Sequence, residues 1–581
     1  MPSHNAEIAK RFQQMADVMQ LTGANRFRVI AFEKAAHAIA DLSRDVASID
    51  PDALTDIDGI GDGTAQRIRE YLDTGTIADH EKLLAKVPPG LPALLDVPGL
   101  GAKTVVKLWK EADVDSIDAL RKAIEDGSVE SLKGLGKKKA QQIKDSLAFL
   151  ESAGSRVNIG VALPVAEALA DKLRKLDGVQ RCQHAGSLRR GRETIGDIDL
   201  LVAATAEHAP AIGDAFAAFD EVDAVIAHGK TKVSIRTHNG LQCDLRVVSP
   251  DAFGAALMYF TGSKDHNVRL RERAISMGMK LSEYGLFPAD TDDTANTKPL
   301  VADTEEAVYK KLKLPWVPPE LREDRGEIKR AEADDLPKLI EESDIRAELH
   351  AHTTASDGSL SIRQLVDAAL DRGFHTLAVT DHSKGQAQAN GLDAKRLRQH
   401  IQDIHAVAAE YDDRIALLAG SEVDILADGS LDYDDDLLAE LDLVVASPHA
   451  ALSQDPATCT ERLIKAIENP HVHIIGHPTG RLINRRAGLE PDMPAIVDAA
   501  KANGVALEIN AHHARLDLRD THARLALDAG VKLAIDTDAH GLADFQQLCY
   551  GILTARRAGA TKRDVVNCLT RKQLTNWLKR D

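Results

Sequence analysis

Residues 185–200 read AGSLRRGRETIGDIDL, and the closing D-x-D fixes the first element of the fold. Side chains alternate along a strand, so Asp197 and Asp199 point to one face while Ile198 and Leu200 point to the other. Two adjacent carboxylates repel unless a cation joins them. Mg²⁺ usually takes one or two protein carboxylates and draws its other ligands from phosphate and water, which makes a nucleotide the natural third party. A further carboxylate, Asp244, stands in LQCDLRV (241–247), again on an apolar strand. An edge-strand or turn aspartate is the ordinary reading of Asp244 alone. Three carboxylates on neighbouring strands, however, can hold two ions about 3.5–4 Å apart, the arrangement for in-line phosphoryl displacement. The preceding GSLRRG adds the Gly186 backbone, the Ser187 hydroxyl and the Arg190 guanidinium, all suited to phosphate oxygens.

At 581 residues the chain needs several domains, and 44% hydrophobic residues suffice for packed cores. No apolar run is long enough to span a bilayer, and MPSHNAEIAKRFQQM lacks the pattern of a signal peptide, so a cytosolic protein with no membrane partner is expected. The five cysteines, Cys182, Cys243, Cys459, Cys549 and Cys568, lack C-x-x-C spacing and indicate neither disulfides nor a thiolate metal site. A formal net charge of −18 argues against general adhesion to nucleic acid; any such partner must be held by local patches.

Upstream, a pattern repeats three times: LTDIDGIGDGTAQRIREYL (54–72), LLDVPGLGAKTVVKLW (94–109) and VESLKGLGKKKAQQIKDSL (129–147). Each copy is a Gly-apolar-Gly turn followed by a helix, the helix-hairpin-helix pattern. One copy could be a helix C-cap glycine. Three copies, with Lys103, Lys107, Lys137, Lys138 and Lys139 in the later helices, point to sequence-independent contacts with a DNA backbone. The glycines at the turns, Gly59, Gly61, Gly99, Gly101, Gly134 and Gly136, and Lys137 are the candidate DNA-binding residues.

The expected organisation is multidomain, α and α/β. A helical region holds the first hairpin (1–90) and then the other two (91–152). A region of alternating strands and helices (153–249) is followed by a small α+β subdomain (250–322), a charged solvated linker (323–344) and a C-terminal β/α region (345–581).

The motif GS-x-RRG followed by GDIDLL resembles the nucleotidyltransferase superfamily, and the flanking sequence is similar to family X DNA polymerases of the polymerase-beta type. YFTGSKDHNVRLRERA (259–274) resembles that family's nucleotide-selecting segment, and LPWVPPELRE (314–323) its ending. The resemblance implies that Tyr259 and Phe260 crowd the sugar, Gly262 lets the backbone approach, and Asn267 and Arg271 contact base and template. A 2′-hydroxyl would meet this wall, so deoxynucleoside triphosphates are expected. It also implies that 153–249 is a nucleotidyltransferase palm and 250–322 a nucleotide-binding subdomain, with Mg²⁺ or Mn²⁺ in the palm and gapped or primed DNA as partner. One position departs from the family. Where the amino-terminal domain would carry the Schiff-base lysine of deoxyribose-phosphate lyase chemistry, this chain has Arg67, which stays protonated and is no amine nucleophile. Arg28 remains a candidate for a 5′-phosphate.

Downstream, one apolar run after another ends in a polar group: RAELHAHT, TLAVTDHS, IALLAGSEVDI, LDLVVASPH, VHIIGHP, VALEIN and VKLAIDTDAH. In a parallel barrel the C-terminal strand ends share one face, so these groups converge. His350, His352, Asp357, His382, Glu422, His449, His477, Asp538 and His540 are the expected metal ligands, with Asp381 and Asn510 left outside the set. So many ligands imply more than one ion, and imidazole mixed with carboxylate suits Mn²⁺ or Zn²⁺. His375, His400, His405, His471, His473, His512 and His513 end no strand and are read as surface or core. The pattern resembles the polymerase and histidinol phosphatase (PHP) family, which implies a distorted (β/α)7 barrel, three ions and phosphoester hydrolysis. Together the resemblances imply a gap-filling DNA repair polymerase, as in base excision repair, joined to a metal-dependent 3′–5′ exonuclease. The oligomeric state is not legible in the sequence, and a monomer is the expectation. A small-molecule nucleotidyltransferase fused to a phosphatase would not need the three hairpins, and a non-catalytic DNA-end scaffold would not need two full ligand sets.

Overall fold

The computed structural model describes residues 4–40, 46–57, 59–97, 100–137, 139–144, 147 and 156–579. It divides into two compact units, Met1–Ser155 with Asn484–Ala487, and Arg156–Ile483 with Gly488–Asp581.

The first unit is helical. Helices His4–Leu21 and Arg26–Ala40 pack through Ile8, Phe12, Met15, Val29 and Phe32, with Phe12 and Phe32 edge to face at 5.5 Å. A second core gathers Leu91, Leu94, Leu100, Val105, Leu108, Leu120 and Ile143 under the later hairpins. In the first hairpin Gly59 takes φ +85° and Gly61 caps the helix Asp62–Thr74; in the third Gly134 takes φ +86°. The positive φ is why the first glycine of the turn is required.

The second unit begins with the palm, a five-stranded sheet ordered 181–184, 197–203, 242–248, 232–237, 222–228. The strand Asp197–Ala203 runs parallel to Gln242–Val248 and antiparallel to Arg181–His184. Its alternation places Ile198, Leu200 and Val202 against the helices Ile159–Arg174 and Ala209–Ala217. Leu201 and Ala203 face the helix Phe253–Thr261. Asp197 and Asp199 have the parity of Leu201, so the carboxylates share a sheet face with the helix bearing Tyr259 and Phe260. The next subdomain pairs the helix Lys264–Ser276 with the hairpin Met279–Ser282 and Gly285–Pro288. Beneath it Glu305 accepts from Arg189, Arg322 and Trp316, all at 2.7–3.1 Å.

The segment expected as a solvated linker is packed instead. Glu327–Glu332 is a helix, Glu327 is buried with its carboxylate 2.6 Å from His266 Nδ1, and Leu339 and Ile340 are in cores. Its charges are paired with barrel residues, Glu323 with Arg557 at 2.9 Å and Arg325 with Asp520 at 3.0 Å, and just ahead of it Glu320 pairs with Arg556 at 2.7 Å. Density of charge signals solvation only when the partners are absent, and here they lie some 200 residues downstream.

The C-terminal region is a seven-stranded parallel sheet in sequential order, from Ala347–Glu348 through Thr376–Val379, Ala416–Asp424, Leu443–Ser447, Ile474–Ile475 and Ala506–Asn510 to Leu533–Asp536. A parallel bridge between Ala351 and Ala539 joins the last strand to the first, as the expected barrel requires. Ala347, Leu349, Leu443, Val445, Ile474 and Ala506 form an inner apolar layer, and the helix Arg571–Lys579 packs on it through Leu574, Trp577 and Leu578. The opposite rim, at the C-terminal strand ends, carries the polar groups. Among the described residues no helix is long and apolar enough to cross a membrane.

Candidate functional sites

The hairpins place backbone at the surface. A side-chain carbon added at Gly61, Gly101 or Gly136 would meet nothing within 4 Å, so these turns are open to an incoming group. Gly61 and Gly101 cap their helices without a side-chain acceptor, leaving backbone N–H groups for an anion. Lys103 and Lys137 are exposed, whereas Lys107 turns inward to the Lys133 carbonyl. Gly99 and Lys138 lie outside the described residues. Arg28 is exposed, while Arg67 is committed to Asp79 and the Gly63 carbonyl, with its guanidinium 5.4 Å from the centre of the Phe32 ring.

In the palm, register pairs Asp199 with Asp244 and Asp197 with Gln242, so all three expected carboxylates meet at one end of the parallel pair. Burial first, then Asp197 and Asp244 as like charges, push the Asp199 pKa up to about 6. Asp244 behaves oppositely. Burial resists its ionisation, but hydrogen bonds from Lys232, Gln242 and Ser234 more than offset that and hold it below the usual carboxylate range. Lys232 Nζ stands 2.7 Å from Asp244 Oδ2, and Gln242 Nε2 donates to Oδ1 at 3.0 Å. Three converging oxygen donors, one of them raised by burial and by its neighbours' charge, fit a hard divalent cation.

Gly186 is the close neighbour of this cluster. It has φ +62°, and a Cβ there would sit 2.4 Å from Asp199 Oδ2. Gly186→Ala is therefore expected to push the Asp199 carboxylate aside and cut nucleotide addition by roughly 100-fold while leaving the melting temperature of the barrel in place. Primer extension alongside a thermal melt checks this; near-normal extension would show that the turn does not set Asp199.

Ser187 lies in the short helix Gly186–Arg189. The two arginines that follow are engaged with protein. Arg189 bonds Thr261 Oγ1 and Glu305, and Arg190 donates to Glu323 at 3.1 Å and to the Thr261 carbonyl at 2.5 Å. The sequence expectation made Arg190 a phosphate ligand; the structure has its guanidinium bracing the turn after Thr261. At that turn Gly262 takes φ +71°, and a Cβ there would approach Arg190 Nη1 to 3.1 Å. Tyr259 and Phe260 are edge to face at 5.2 Å, Arg246 sits over the Phe260 ring, and Asn267 Nδ2 holds the Tyr259 carbonyl at 2.7 Å. Arg271 is exposed one turn further along.

The barrel rim gathers all nine expected ligands. His352, Asp357, His382 and His540 form one group; His350, His352 and Asp538 a second; His382, Glu422 and His449 a third. Within each, one ligand atom per residue lies within 4.8 Å of the others. His477 Nε2 joins them 2.9 Å from Glu422 Oε1. Although buried, His350 Nε2, both His352 nitrogens, His382 Nδ1, Glu422 Oε2, His477 Nδ1 and Asp538 Oδ1 make no hydrogen bond among the described residues. Buried lone pairs left this way are costly, and cations would satisfy imidazoles and carboxylates together. Burial, with His540 and His382 beside it, pushes the His352 pKa down to about 4. Burial also opposes the charge of His382, but Glu422 and Asp357 override it and raise that imidazole to about 10.

Several supporting residues were not foreseen. Glu508 Oε1 receives His350 Nδ1 at 2.7 Å and Asp424 Oδ1 receives His449 Nδ1 at 2.6 Å, each fixing a ring so that the other nitrogen faces the site. Asp424 follows Glu422 by two on one strand, a spacing that signals a shared face. Nothing in VALEIN marks Glu508 beyond its carboxylate. Asp381, left out of the ligand set, spends its oxygens on Thr353, Ser356 and His400, thereby holding the loop that carries Asp357. Asn510 donates to Asp538 Oδ2 at 3.0 Å.

Comparison with known proteins finds relatives for the whole chain and for each half. The DNA polymerase/3′-5′ exonuclease PolX of Bacillus subtilis is 39% identical over 580 residues, covering the whole of both chains. The chain belongs to the PolX family. The helix-hairpin-helix domain family matches residues 3–77, the SAM-like helix-hairpin-helix tandem 91–148, the DNA polymerase beta thumb 256–323 and the PHP domain 348–512. The two halves also have separate relatives. DNA polymerase lambda of Rattus norvegicus is 25% identical over 346 residues, 55% of this chain and 56% of its own length. The probable phosphatase YcdX of Escherichia coli (strain K12 / DH10B) is 31% identical over 222 residues, 36% of this chain and 84% of its own length. The chain thus joins a polymerase-type half to a PHP half.

Proposed function

We propose that this PolX-family chain is a DNA repair polymerase that fills short gaps from deoxynucleoside triphosphates, with Asp197, Asp199 and Asp244 as its catalytic carboxylates. Its barrel is a 3′–5′ exonuclease or 3′-end phosphoesterase served by His350, His352, Asp357, His382, Glu422, His449, His477, Asp538 and His540. The observation that carries the reading is the pairing of Asp199 with Asp244 in a chain that also brings nine ligands to one barrel rim. Bound divalent ions supply Lewis-acid activation and charge stabilisation at phosphorus. The oxygen-only palm set suits Mg²⁺ or Mn²⁺, and the imidazole-rich rim suits Mn²⁺ or Zn²⁺ in three positions. The chain's own groups orient the reactants. Gly186 and Ser187 offer the triphosphate a backbone turn and a hydroxyl, and Tyr259 and Phe260 form the wall at the sugar.

The hairpins hold the DNA through Gly59, Gly61, Gly101, Gly134, Gly136 and Lys137, with Arg271 reaching the template. Binding to gapped duplex is expected to weaken with salt, with a log–log slope near −0.9 for each phosphate neutralised. Lys137→Ala with Lys139→Ala should flatten that slope; an unchanged slope would move the contact elsewhere. We assign no lyase chemistry to the amino-terminal domain, because a guanidinium is no amine nucleophile and that of Arg67 is held by Asp79. Extension of a primed gap by the intact chain and by Asp244→Ala tests the polymerase reading directly, and would expose a small-molecule transferase or a passive scaffold by the absence of extension in both.

A further inference from the structure

We propose that Arg557, on the barrel, is a positioning residue for nucleotide addition in the palm, acting through Arg190 and Glu323 on the loop that carries Gly186. The inference rests on the palm being the nucleotide-adding centre.

Arg557 lies in the last turn of the barrel helix Leu548–Ala558 and is 6% exposed. Asp520, also on the barrel, holds its Nη2 at 2.8 Å, so the guanidinium is aimed before it leaves its own domain. Nη1 then makes two bonds outside the barrel, to the Arg190 carbonyl at 2.6 Å and to Glu323 Oε1 at 2.9 Å. The same Glu323 oxygen receives Arg190 Nε at 3.1 Å, and Arg190 Nη1 reaches the Thr261 carbonyl. One chain of charge-assisted bonds thus runs from the barrel through the GSLRRG loop to the turn after Tyr259 and Phe260. The loop is also pressed on that helix, since a Cβ at Gly191 would stand 3.3 Å from Leu553. Burial resists ionisation of Glu323, but Arg557 and Arg190 hold it below the usual carboxylate range.

Removing Arg557 would leave a buried carboxylate and a loop carbonyl each short of a donor, and the loop would have to move to recover them. At its other end stands Gly186, already against Asp199. Small displacements there carry large rate effects. The seam itself does not depend on Arg557, because Leu553, Tyr550, Ile483 and Leu516 pack with the palm core. A loss specific to the loop is therefore separable from a loss of docking.

The test uses the full chain on a primed one-nucleotide gap, measuring KM for the incoming deoxynucleotide, kcat, and 3′-end hydrolysis with Mn²⁺. Arg557→Ala should raise the nucleotide KM about tenfold or more with hydrolysis and melting temperature kept. Glu323→Gln should shift KM in the same direction. Arg325→Ala, which removes another partner of Asp520 without touching the loop, should leave KM unchanged. If the intact chain adds nucleotides and neither Arg557→Ala nor Glu323→Gln moves KM, the inference fails. If Arg557→Ala loses both activities and melts early, Glu323→Gln decides: an unchanged KM there overturns the proposal. If the intact chain adds no nucleotide, it is the polymerase reading that fails.

Discussion

His350→Ala combined with His352→Ala is expected to abolish 3′-end hydrolysis, by at least about 100-fold, while gap filling continues. The two imidazoles reach two of the three ligand groups at the barrel rim, and His352 belongs to both. Without them Asp538 keeps its carboxylate but loses the ring nitrogen at 3.0 Å, and Glu422 loses those at 3.4 and 3.7 Å. The remaining acids would face one another with too few partners, so ion affinity falls as well as turnover. Polymerisation should persist because neither histidine touches the palm carboxylates or the Arg557 contacts that join barrel to palm. Nuclease assay on a 3′-labelled oligonucleotide, with extension of a primed gap by the same preparation, checks both halves. Coincident loss of extension would mean that the rim histidines hold the seam, contrary to the geometry.

Asp244→Ala should give the converse, a loss of nucleotide addition on the order of 10³-fold with hydrolysis intact. Hydrogen bonds from Lys232, Gln242 and Ser234 hold the Asp244 carboxyl below the usual carboxylate range despite its burial. Its removal leaves Asp197 and Asp199 alone, and Asp199 already carries a pKa pushed up to about 6. The palm would then offer one well-ionised oxygen donor group fewer to any cation. DNA affinity should survive, since the hairpin turns take no part in the cluster. A gel-shift on gapped duplex together with single-nucleotide extension separates binding from chemistry, and retained extension would remove Asp244 from the catalytic set.

Periodicity made much of this legible. Asp197 and Asp199 could be paired from the sequence because a strand repeats every two residues, and the same parity carried Asp244 to their side. Strand-end histidines could be gathered because a parallel barrel collects distant positions on one rim. Partnerships between remote residues could not be read in this way. Arg190 looks like a phosphate ligand in GSLRRG, but its acceptors are Glu323 and the Thr261 carbonyl, 133 and 71 residues away. The acidic and basic residues of 323–344 read as a solvated linker because their counter-charges, Asp520 and Arg557, belong to another domain's helices. Glu508 was hidden for a related reason. Its role is to orient His350, and only the fold shows the two side by side.

The central claim is that two independent metal centres, one in the palm and one at the barrel rim, divide polymerisation from 3′-end hydrolysis. The most direct measurement places the intact chain, Asp244→Ala and the His350→Ala, His352→Ala double variant, identically purified, on one primed and gapped DNA with Mn²⁺ present, and follows extension and shortening of the same primer. The account predicts extension without shortening for the double-histidine variant and shortening without extension for Asp244→Ala. Shortening that persists in the double-histidine variant and vanishes in Asp244→Ala would put hydrolysis in the palm and contradict it.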